Sequence, residues 1–504
     1  MAHEIFTPDE MAAIDRRAIE AGPFDGYRLM RNAGAAVVQE ALARFGEAAM
    51  FDVLAGPGNN GGDGYVIAKL LAQAGASVRL FAHGVPRTGS DAALAAADCP
   101  VETLPFAGYR PQEGVAVIDA LYGAGLNRAL GSEFADVFGE IERLRLPVIA
   151  VDLPSGLNGL TGQATGPVMK ADLTVTFVRK KPAHLLYPGR ALCGQVVVAD
   201  IGVREAHVGP SALRENLPDN WRASMPVTQV EAHKYQRGHV AVFSGGPTAT
   251  GAARLAAMGT ARSGAGAVTV LSPADALAAN AAHLASIMLR EAGSMSDVER
   301  FVEERRPRAI VYGPGLDADA ATAARLIEMI ALARKRAMTV VMDASAITAA
   351  AADPEPLFAA SAAGGASLVM TPHEGEFARL FPEIAADRAN SKVERARRAA
   401  ARSNAVVIYK GADTVIAAPD GRAAINSNGT PWLATAGSGD VLAGIVAGLT
   451  AQGMEPFEAA CASVWLHAEA GSRFGPGLIA EDLPGLLPPV LGYLLCDTAA
   501  NVRC

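Results

Sequence analysis

The chain has 504 residues, of which 50% are hydrophobic and 19% are charged, a composition that suits large buried cores and excludes a disordered chain. Its length predicts two large α/β domains or about three smaller ones. The net charge of −8, without a basic block, argues against a nucleic-acid partner. Scattered cysteines and the absence of any apolar run of about 18 residues predict a reducing compartment, no structural zinc and no membrane span. The first ten residues lack a signal-peptide pattern, so we expect a cytoplasmic enzyme.

The first half of the chain alternates predicted helices and strands in the pattern of βαβ units. Thr7 followed by Pro8 predicts a helix start, and the helical pattern continues to Ala18 and resumes over residues 27–45. Buried strands separated by helices form parallel sheets, in which ligands bind beyond the carboxyl ends of the strands. We therefore expect an N-terminal Rossmann-like, three-layer αβα domain. Short apolar runs predict its strands at residues 51–55, 77–82, 115–120, 147–152 and 173–177.

A glycine-rich loop is predicted over residues 56–64, before a helix at residues 65–74. Within it, Gly56, Gly58 and Gly61 match the GxGxxG spacing of dinucleotide sites. The match is weak by itself, because the next strand ends without the acidic residue that holds the ribose. No Gly-Lys-Ser/Thr sequence follows, which excludes a Walker A loop.

Polar residues follow several of the predicted strands in this half. We expect Asn60, Asp119, Asp152 and Ser155 to converge, because the carboxyl ends of parallel strands lie at one edge of the sheet. Oxygen ligands of mixed charge, without Cys or His, suit a hard cation. The alternative is that Asp119 and Asp152 only cap turns.

Three motifs make this half resemble the NAD(P)H-hydrate epimerase domain over residues 1–205. They are the segments 59–64 and 152–156, and Asp119 with the loop at residues 123–128. The resemblance implies interconversion of the R and S epimers at C6 of the hydrated nicotinamide ring, with acid–base work by Asp152. It also implies a potassium ion bound by Asn60, Asp119 and Ser155. The residues that it implies for binding the hydrated nucleotide are Asn59, Asn60, Gly61, Gly62, Asp63, Gly123, Ala124, Gly125, Leu126, Asn127, Arg128, Ala129 and Asp152.

The segment of residues 204–230 is irregular and contains three prolines, and we place the domain boundary inside it. A helix is predicted beyond it at residues 250–263. Small residues at its start, Gly251 to Ala253, leave room either for a ligand or for close packing on a sheet. The α/β rhythm continues with predicted strands at residues 240–243, 267–271, 309–312, 339–343, 368–370 and 405–409.

Residues 435–440 read Thr-Ala-Gly-Ser-Gly-Asp and lead into an apolar, helically periodic segment at residues 441–449. Free backbone N–H groups and the helix dipole favour a phosphate at such a helix start, and glycines let it approach. Asp440 is a carboxylate beside this anion site, where it can take the proton of a hydroxyl that attacks a phosphoryl group. The alternative is an acidic residue that only complements the dipole of its helix.

Two further strand ends carry candidate ligand groups. Lys410 suits a phosphate, although a single lysine is more often a solvated surface residue. His373 can donate to a substrate oxygen, or it can be a helix-start histidine with local hydrogen bonds only. We expect both at the edge of the sheet where its parallel strands end.

The second half resembles the ADP-dependent NAD(P)H-hydrate dehydratase of the ribokinase-like superfamily over residues 225–490. The resemblance depends on the motifs at residues 313–316, 371–376, 410–414 and 435–440. The superfamily loop commonly reads Gly-Ala-Gly-Asp, whereas this chain has Ser438 in place of Ala, a change that leaves the backbone N–H groups available. By position, the residues implied to contact the S-hydrate are Ala252, Gly315, His373 and Asp440. Those implied to bind the adenine nucleotide are Lys410, Gly411, Ala412, Asp413, Thr414 and Gly439.

Together the resemblances imply a bifunctional enzyme that repairs the hydrated cofactors NADHX and NADPHX. We expect its domains at residues 1–215 and 225–504, the second a ribokinase-like α/β domain. ADP, with Mg²⁺, would phosphorylate the S epimer and leave AMP, phosphate and NAD(P)H. We also expect a homo-oligomer without a membrane or nucleic-acid partner. The alternatives are a plain small-molecule kinase and a first half that binds nucleotides or a partner without catalysis.

Overall fold

The computed structural model describes residues 3–48, 50–164, 166–228, 231 and 233–496. For Cys496 it describes the backbone only. The chain divides into two compact units, Met1–Leu213 and Arg214–Cys504. Each unit is built on a sheet that is wholly or mainly parallel, with helices packed against it. In the part of the chain that the structure describes, no helix is long and apolar enough to cross a membrane.

Seven strands form the sheet of the first unit: β1 (Met50–Ala55), β2 (Val78–Ala82), β3 (Thr103–Pro105), β4 (Val115–Ala120), β5 (Val148–Val151), β6 (Leu173–Phe177) and β7 (Gln195–Ala199). Their order is β3-β2-β1-β4-β5-β6-β7, and all neighbours pair in parallel. The winding reverses between β1 and β4, and such a switch point leaves a crevice beyond the carboxyl ends of the strands. The fold therefore provides a ligand position at this edge.

Helices cover both faces of this sheet. They are α1 (Pro8–Ala21), α2 (Gly26–Phe45), α3 (Asn59–Gln73), α4 (Asp91–Asp98), α5 (Ser132–Arg143), α6 (Gly189–Leu192) and α7 (Glu205–Val208). Successive strand residues point to opposite faces. Val53 packs in a core with α2, α3 and α4, whereas Leu54 packs with Phe134 and Phe138 of α5. The expected three-layer αβα arrangement is confirmed.

The prediction of a loop over residues 56–64 is wrong, because α3 begins at Asn59. Glycine here serves close packing of the helix start against the preceding turn. A Cβ atom on Gly61 would lie only 1.7 Å from the carbonyl oxygen of Gly56. The unpaired N–H groups of the first helical turn are consequently held directly above the carboxyl end of β1.

Ten strands form the sheet of the second unit: β8 (Leu213–Asn216), β9 (His239–Phe243), β10 (Ala267–Ser272), β11 (Met288–Glu291), β12 (Ala309–Tyr312), β13 (Thr339–Met342), β14 (Ser367–Met370), β15 (Val406–Tyr409), β16 (Val415–Ala417) and β17 (Ala423–Asn426). Their order is β11-β10-β9-β12-β13-β14-β15-β16-β17-β8. Strands β9 to β15 pair in parallel, and β16 pairs antiparallel with both β15 and β17. The switch point lies between β9 and β12.

The helices of the second unit are α8 (Thr250–Arg262), α9 (Leu277–Ala281), α10 (Met295–Arg305), α11 (Ala320–Arg334), α12 (Ser345–Ala350), α13 (Glu355–Ala362), α14 (Glu374–Leu380), α15 (Pro382–Ala386), α16 (Lys392–Ser403), α17 (Ser438–Ala451), α18 (Pro456–Phe474) and α19 (Leu483–Cys496). Helices α8, α17, α18 and α19 share one core with strand residues such as Val341. Its neighbour Val340 is equally buried and points to the other face, where helices must also cover the sheet. Helix α17 approaches α8 so closely that a Cβ on Gly444 would lie 2.0 Å from the carbonyl oxygen of Ala256.

All strands predicted from the sequence are present, with ends within one residue of those predicted. The expected α/β fold class is confirmed. Strands β3, β7, β8, β11, β16 and β17 were not predicted, because they are three to five residues long and either partly exposed or rich in alanine. The segment 204–230, predicted as irregular, contains α7 and β8; residues 229 and 230 lie outside the described residues.

Candidate active sites

A cavity of about 610 Å³ opens at the switch point of the first sheet. Its wall is formed by α1, the start of α3, and the residues that follow β4, β5 and β6. The predicted ligand residues that line it are Asn59, Asn60, Asp63, Gly123, Ala124, Gly125, Leu126, Asn127, Arg128 and Asp152. Gly61 and Gly62 lie buried inside α3, and Ala129 directly follows the lining residue Arg128.

Asp119 and Asp152 lie at different depths because of the strand register. Asp119 of β4 pairs with Ala150 of β5, so Asp152 stands two residues, or about 7 Å, farther along its strand direction. Asp119 has no exposed surface, whereas Asp152 lines the cavity. Only the second of these carboxylates can therefore face a ligand in the cavity.

Several hydrogen bonds fix the carboxylate of Asp152. Its Oδ1 accepts from Lys181 Nζ at 2.6 Å and from Thr176 Oγ1 at 2.9 Å, and its Oδ2 accepts from the backbone N of Ala124 at 3.0 Å. The carbonyl oxygen of Asp152 lies 2.9 Å from Nε2 of His184. Asp152 adopts a φ of 65°, in the left-handed region that Asp tolerates better than most residues. The side chain is thus held in one orientation from both sides.

These contacts determine the charge of the site. Burial alone would raise the pKa of Asp152, but the charge and hydrogen bond of Lys181 outweigh burial and hold that pKa at about 2. Burial and the charge of Lys181 lower the pKa of His184 to about 4. At neutral pH an ionised carboxylate therefore lies next to a neutral imidazole.

Asp119 and Ser155 are joined by two hydrogen bonds beneath the cavity. Ser155 Oγ donates to Asp119 Oδ1 at 2.5 Å, and Ser155 N donates to Asp119 Oδ2 at 2.7 Å. Burial raises the pKa of Asp119 to about 6, against these hydrogen bonds. Asn60 lies close by at the start of α3, and its buried Nδ2 has no hydrogen-bond partner among the described residues. A Cβ on Gly123 would lie 3.0 Å from Asn60 Oδ1, so this loop passes directly over the amide.

Sequence reasoning missed Lys181 and Asp15, which line this cavity, and the fully buried Thr176, which donates to Asp152. Lys181 lies four residues beyond the end of β6, whereas Asp152 follows β5 directly, so only a search that included the loops after the strands would have found it. Thr176 lies inside β6, where a hydroxyl gives no sign of function. Asp15 reaches the cavity from α1, and no local pattern links that helix to the edge of the sheet.

The loop before α17 in the second unit has the form of an anion site. Gly437 precedes the helix with a φ of 87°, and no side chain caps the N–H groups of the first turn. Ser438 Oγ donates to the carbonyl oxygen of Leu433 at 2.8 Å, which fixes the loop. The backbone N–H groups of Gly439 and Asp440 thus remain available for an anion.

Three charged residues meet beside this loop. Lys410 Nζ donates to Asp343 Oδ1 at 3.1 Å, and a Cβ on Gly439 would lie 3.2 Å from Lys410 Nζ. Asp343 also accepts a hydrogen bond from Thr371 Oγ1 at 2.6 Å. Burial and the charge of Asp343 raise the pKa of Asp440 to about 7, although Lys410 acts in the opposite direction. A carboxyl that titrates near neutral pH is suited to accept a proton from a hydroxyl.

His373 is the N-terminal cap of α14. Its Nδ1 accepts from the backbone N of Gly375 at 3.0 Å, and its own backbone N donates to Glu376 Oε2 at 2.9 Å. His373 therefore makes local hydrogen bonds through Nδ1 and its backbone N, while 55% of its side chain is exposed, and its contact with a substrate stays a prediction. Glu376 is 5% exposed, and burial raises its pKa.

The remaining predicted residues are Ala252 in the first turn of α8, Gly315 in the loop after β12, and the loop of residues 410–414 after β15. A Cβ on Gly315 would lie 3.4 Å from the Cβ of Ala252, so these two residues are neighbours. In the loop of residues 410–414, Thr414 Oγ1 accepts from Gly411 N at 3.1 Å.

Asp413 of this loop is paired, because Lys392 Nζ donates to its Oδ1 at 2.6 Å. The sequence had not singled out Lys392, which begins α16, and no motif identifies it. Asp343 and Glu376 were also missed as parts of the charged cluster, although both stand in strand-end motifs.

Two parts of the chain match known families. Residues 240–483 match the family described as NAD(P)H-hydrate dehydratase, and residues 26–183 match the family described as YjeF-related protein N-terminus. The bifunctional NAD(P)H-hydrate repair enzyme of Moorella thermoacetica is 35% identical, over 97% of this chain and 97% of that protein. The chain belongs to the family of bifunctional NAD(P)H-hydrate repair enzymes. The family expected from the motifs is thereby confirmed.

Further similarities extend over the whole chain or over its second unit. The bifunctional NAD(P)H-hydrate repair enzyme of Escherichia coli is 30% identical, over 98% of this chain and 95% of that protein. The crystal structure of an ADP/ATP-dependent NAD(P)H-hydrate dehydratase from Bacillus subtilis, co-crystallised with ATP and Mg²⁺, has 25% identity. It covers 56% of this chain and 98% of its own, with a TM-score of 0.47.

Proposed function

We propose that the first unit interconverts the R and S epimers of NAD(P)HX in the cavity at its switch point. The reaction exchanges the two faces of C6 and needs proton transfer without a redox change. The observation that carries this proposal is the ionised Asp152, fixed by Lys181 on the wall of the cavity. The proposed nucleotide contacts are the predicted residues of this wall, from the start of α3 and from the loop after β4.

We propose that the second unit dehydrates the S epimer with ADP. Asp440 takes the proton of the 6-hydroxyl, and the oxygen attacks the terminal phosphoryl group of ADP, which leaves AMP. The N–H groups at the start of α17 and the ammonium of Lys410 stabilise the charge on the phosphoryl oxygens. The C6–O bond then breaks and its electron pair leaves with phosphate, while C5 loses a proton to water and the C5–H pair forms the C5–C6 double bond. Phosphate leaves far more readily than hydroxide. The products are NAD(P)H and phosphate.

A potassium ion fits the oxygen groups of the first unit. Asp119 is a buried carboxylate that accepts hydrogen bonds from Ser155 and from the backbone N of Leu121, which are uncharged donors. Burying such a charge is costly without a counter-ion. Ser155 and Asn60 add hydroxyl and amide oxygens, ligands that suit a hard cation. In the described part of the chain, no group of three or more His, Cys, Asp or Glu side chains could hold a metal. The ion would neutralise Asp119 and fix the loop at Gly123.

Mg²⁺ fits the second unit together with the phosphates of the nucleotide. Mg²⁺ in phosphoryl-transfer sites commonly uses one or two carboxylates besides phosphate oxygens. Asp343 and Glu376 are buried carboxylates whose charges act on Asp440, and Lys410 is the cation bonded to Asp343. The ion would supply charge neutralisation at the phosphates. A homo-oligomer and a cytoplasmic location stay predictions from the sequence.

The decisive experiment incubates the protein with mixed NADHX epimers, ADP and Mg²⁺, with and without K⁺. We expect full recovery of NADH absorbance and release of one phosphate per NADH. If the first unit did not epimerise NADHX, only the S epimer would be dehydrated at the enzyme-catalysed rate, and the R epimer would be converted at the spontaneous rate. A stable phosphorylated product without NADH would instead establish a plain kinase. A purely nucleotide-binding first unit predicts that Asp152→Ala converts the R epimer at the wild-type rate.

A further inference from the structure

The reaction proposed for the first unit needs a group that protonates the leaving oxygen at C6, and Asp152 is not that group. Its carboxylate accepts hydrogen bonds from Lys181, Thr176 and Ala124, which hold its pKa at about 2, so it is ionised at neutral pH. An ionised carboxylate can stabilise a cation, but it has no proton to donate. The proton donor must be another residue of the cavity.

Titratable groups behind the cavity wall do not reach a ligand. Asp119 has no exposed surface, and both of its carboxylate oxygens accept hydrogen bonds from Ser155. His184 is 1% exposed and is held between the backbone N of Lys181 and the carbonyl oxygen of Asp152, both at 2.9 Å. Both side chains are therefore committed to contacts within the protein.

Asp63 is the deeply buried carboxyl that does face the cavity. It lies in the second turn of α3 with 9% of its surface exposed. Burial and the charges of Asp152 and Asp15 raise its pKa well above the ordinary range, and no cation among the described residues offsets this increase. Asp15 also lines the cavity, and burial raises its pKa as well, but it is less buried than Asp63 and the charge of Lys181 acts against that increase. Lys181 cannot neutralise all three carboxyls, because its ammonium is bonded to Asp152.

We propose that Asp63 is the proton donor of epimerisation, an inference that rests on the function proposed for the first unit. Asp63 gives its proton to the 6-hydroxyl, the C6–O bond breaks, and the lone pair of N1 forms a double bond to C6 as water leaves. Another water adds to the opposite face of C6, and the double-bond pair returns to N1. The proton that this water loses returns to Asp63 through the cavity water. The ionised Asp152 stabilises the ring cation between the two steps.

The test measures conversion of R-NADHX by the full chain with K⁺, ADP and Mg²⁺. Asp63→Asn keeps the shape of the side chain but removes the proton, and we expect the rate above the spontaneous one to fall by about 10²–10⁴-fold. Dehydration of S-NADHX by the same variant is the internal control and should be unchanged. Asp136→Asn, at an exposed carboxyl on α5, is the matched control and should retain both activities.

Two readouts separate proton donation from a structural role. The wild-type rate of epimerisation should fall as pH rises through the pKa of Asp63, and Asp63→Glu should shift this descending limb while restoring part of the rate. Oxygen-18 from labelled water should enter the 6-hydroxyl once per epimerisation, corrected for the spontaneous exchange. The charged groups that act on Asp63 are Asp15 and Asp152, and both are unchanged in Asp63→Asn and in Asp63→Glu.

The outcomes distinguish this inference from the function beneath it. A wild-type protein that does not convert R-NADHX would overturn the proposed function itself. Conversion at the wild-type rate by Asp63→Asn, or epimerisation without uptake of oxygen-18, would overturn the proton-donor role and leave the epimerase intact. If Asp63→Asn does not fold, a wild-type rate that stays constant at high pH would likewise overturn that role.

Discussion

Lys181 Nζ lies 2.6 Å from Asp152 Oδ1, and the two side chains are only 5% and 16% exposed. Removal of one partner from such a pair leaves an uncompensated buried charge, whereas neutralisation of both partners is far less costly. Because Asp152 keeps its low pKa through this contact, the pair contributes both to stability and to the charge state of the proposed epimerase site.

Lys181→Met should destabilise the first unit by about 3–5 kcal/mol at pH 7, because Asp152 is then a buried charge without a partner. Urea denaturation followed in the first unit measures this loss. The double variant Lys181→Met/Asp152→Asn should regain most of the stability while epimerisation stays lost. Lys170→Met removes an exposed lysine of the same unit and should change neither quantity. Equal stability of the single and double variants would contradict a coupled pair.

Potassium should stabilise the first unit through Asp119. An ion that binds only the folded chain contributes about 2.7 kcal/mol at a concentration of 100 times its Kd. Thermal unfolding in KCl, compared with choline chloride at equal ionic strength, should show this increase for the wild type. Asp119→Asn and Ser155→Ala should each reduce it. A potassium effect of the same size in Asp119→Asn would exclude this carboxylate as a ligand.

Strand ends were the part of both sites that the sequence could predict. The short, continuously buried apolar runs of β1, β4 and β5 indicate where each strand stops, and the parallel order brings Asp119, Asp152 and Ser155 to one edge. Depth at that edge was not predictable, because it depends on the register that places Asp152 two residues beyond the partner of Asp119. The same alternation of strands and helices predicted the fold class.

Residues that approach from other elements were the part that the sequence could not predict. Asp15 comes from α1 and Lys392 from the start of α16, and neither helix has a local signal that links it to a site. The wrong prediction of a loop over residues 56–64 has a different cause. Glycine signals both turns and close contacts, and only the tertiary structure shows that Gly61 is required by the carbonyl oxygen of Gly56.

Ser438→Ala should leave the dehydratase active. The hydroxyl donates to the carbonyl oxygen of Leu433, so its loss should cost about 0.5–1.5 kcal/mol, while the backbone N–H groups of the loop stay available. Gly439→Ala adds a carbon about 3.2 Å from Lys410 Nζ and should weaken ADP binding by displacing the ammonium. Calorimetric titration of both variants with ADP and Mg²⁺ compares them directly. Weaker ADP binding by Ser438→Ala than by Gly439→Ala would show that the Ser438 hydroxyl matters more for ADP binding than the absence of a side chain at Gly439.

Asp440→Asn should abolish dehydration while ADP still binds, because Asn keeps the helix start but cannot accept the proton. The same variant should be more stable than the wild type at high pH. Folding raises the pKa of Asp440 from its ordinary value of 3.8 to about 7, so the folded chain binds the proton more tightly than the unfolded chain. The wild type therefore loses stability as pH rises from about 4 to 7, by at most about 4 kcal/mol.

Denaturation of the second unit at pH 4 and pH 8 measures this difference. Asp440→Asn should match the wild type at pH 4 and exceed it at pH 8, because the Asn side chain does not ionise when Asp440 does. Glu303→Gln, at an exposed carboxylate of α10, is the control and should show no such crossover. A stability gain that is equal at both pH values would show that the ionisation of Asp440 does not cause it. The raised pKa on which the proton-accepting role rests would then be contradicted.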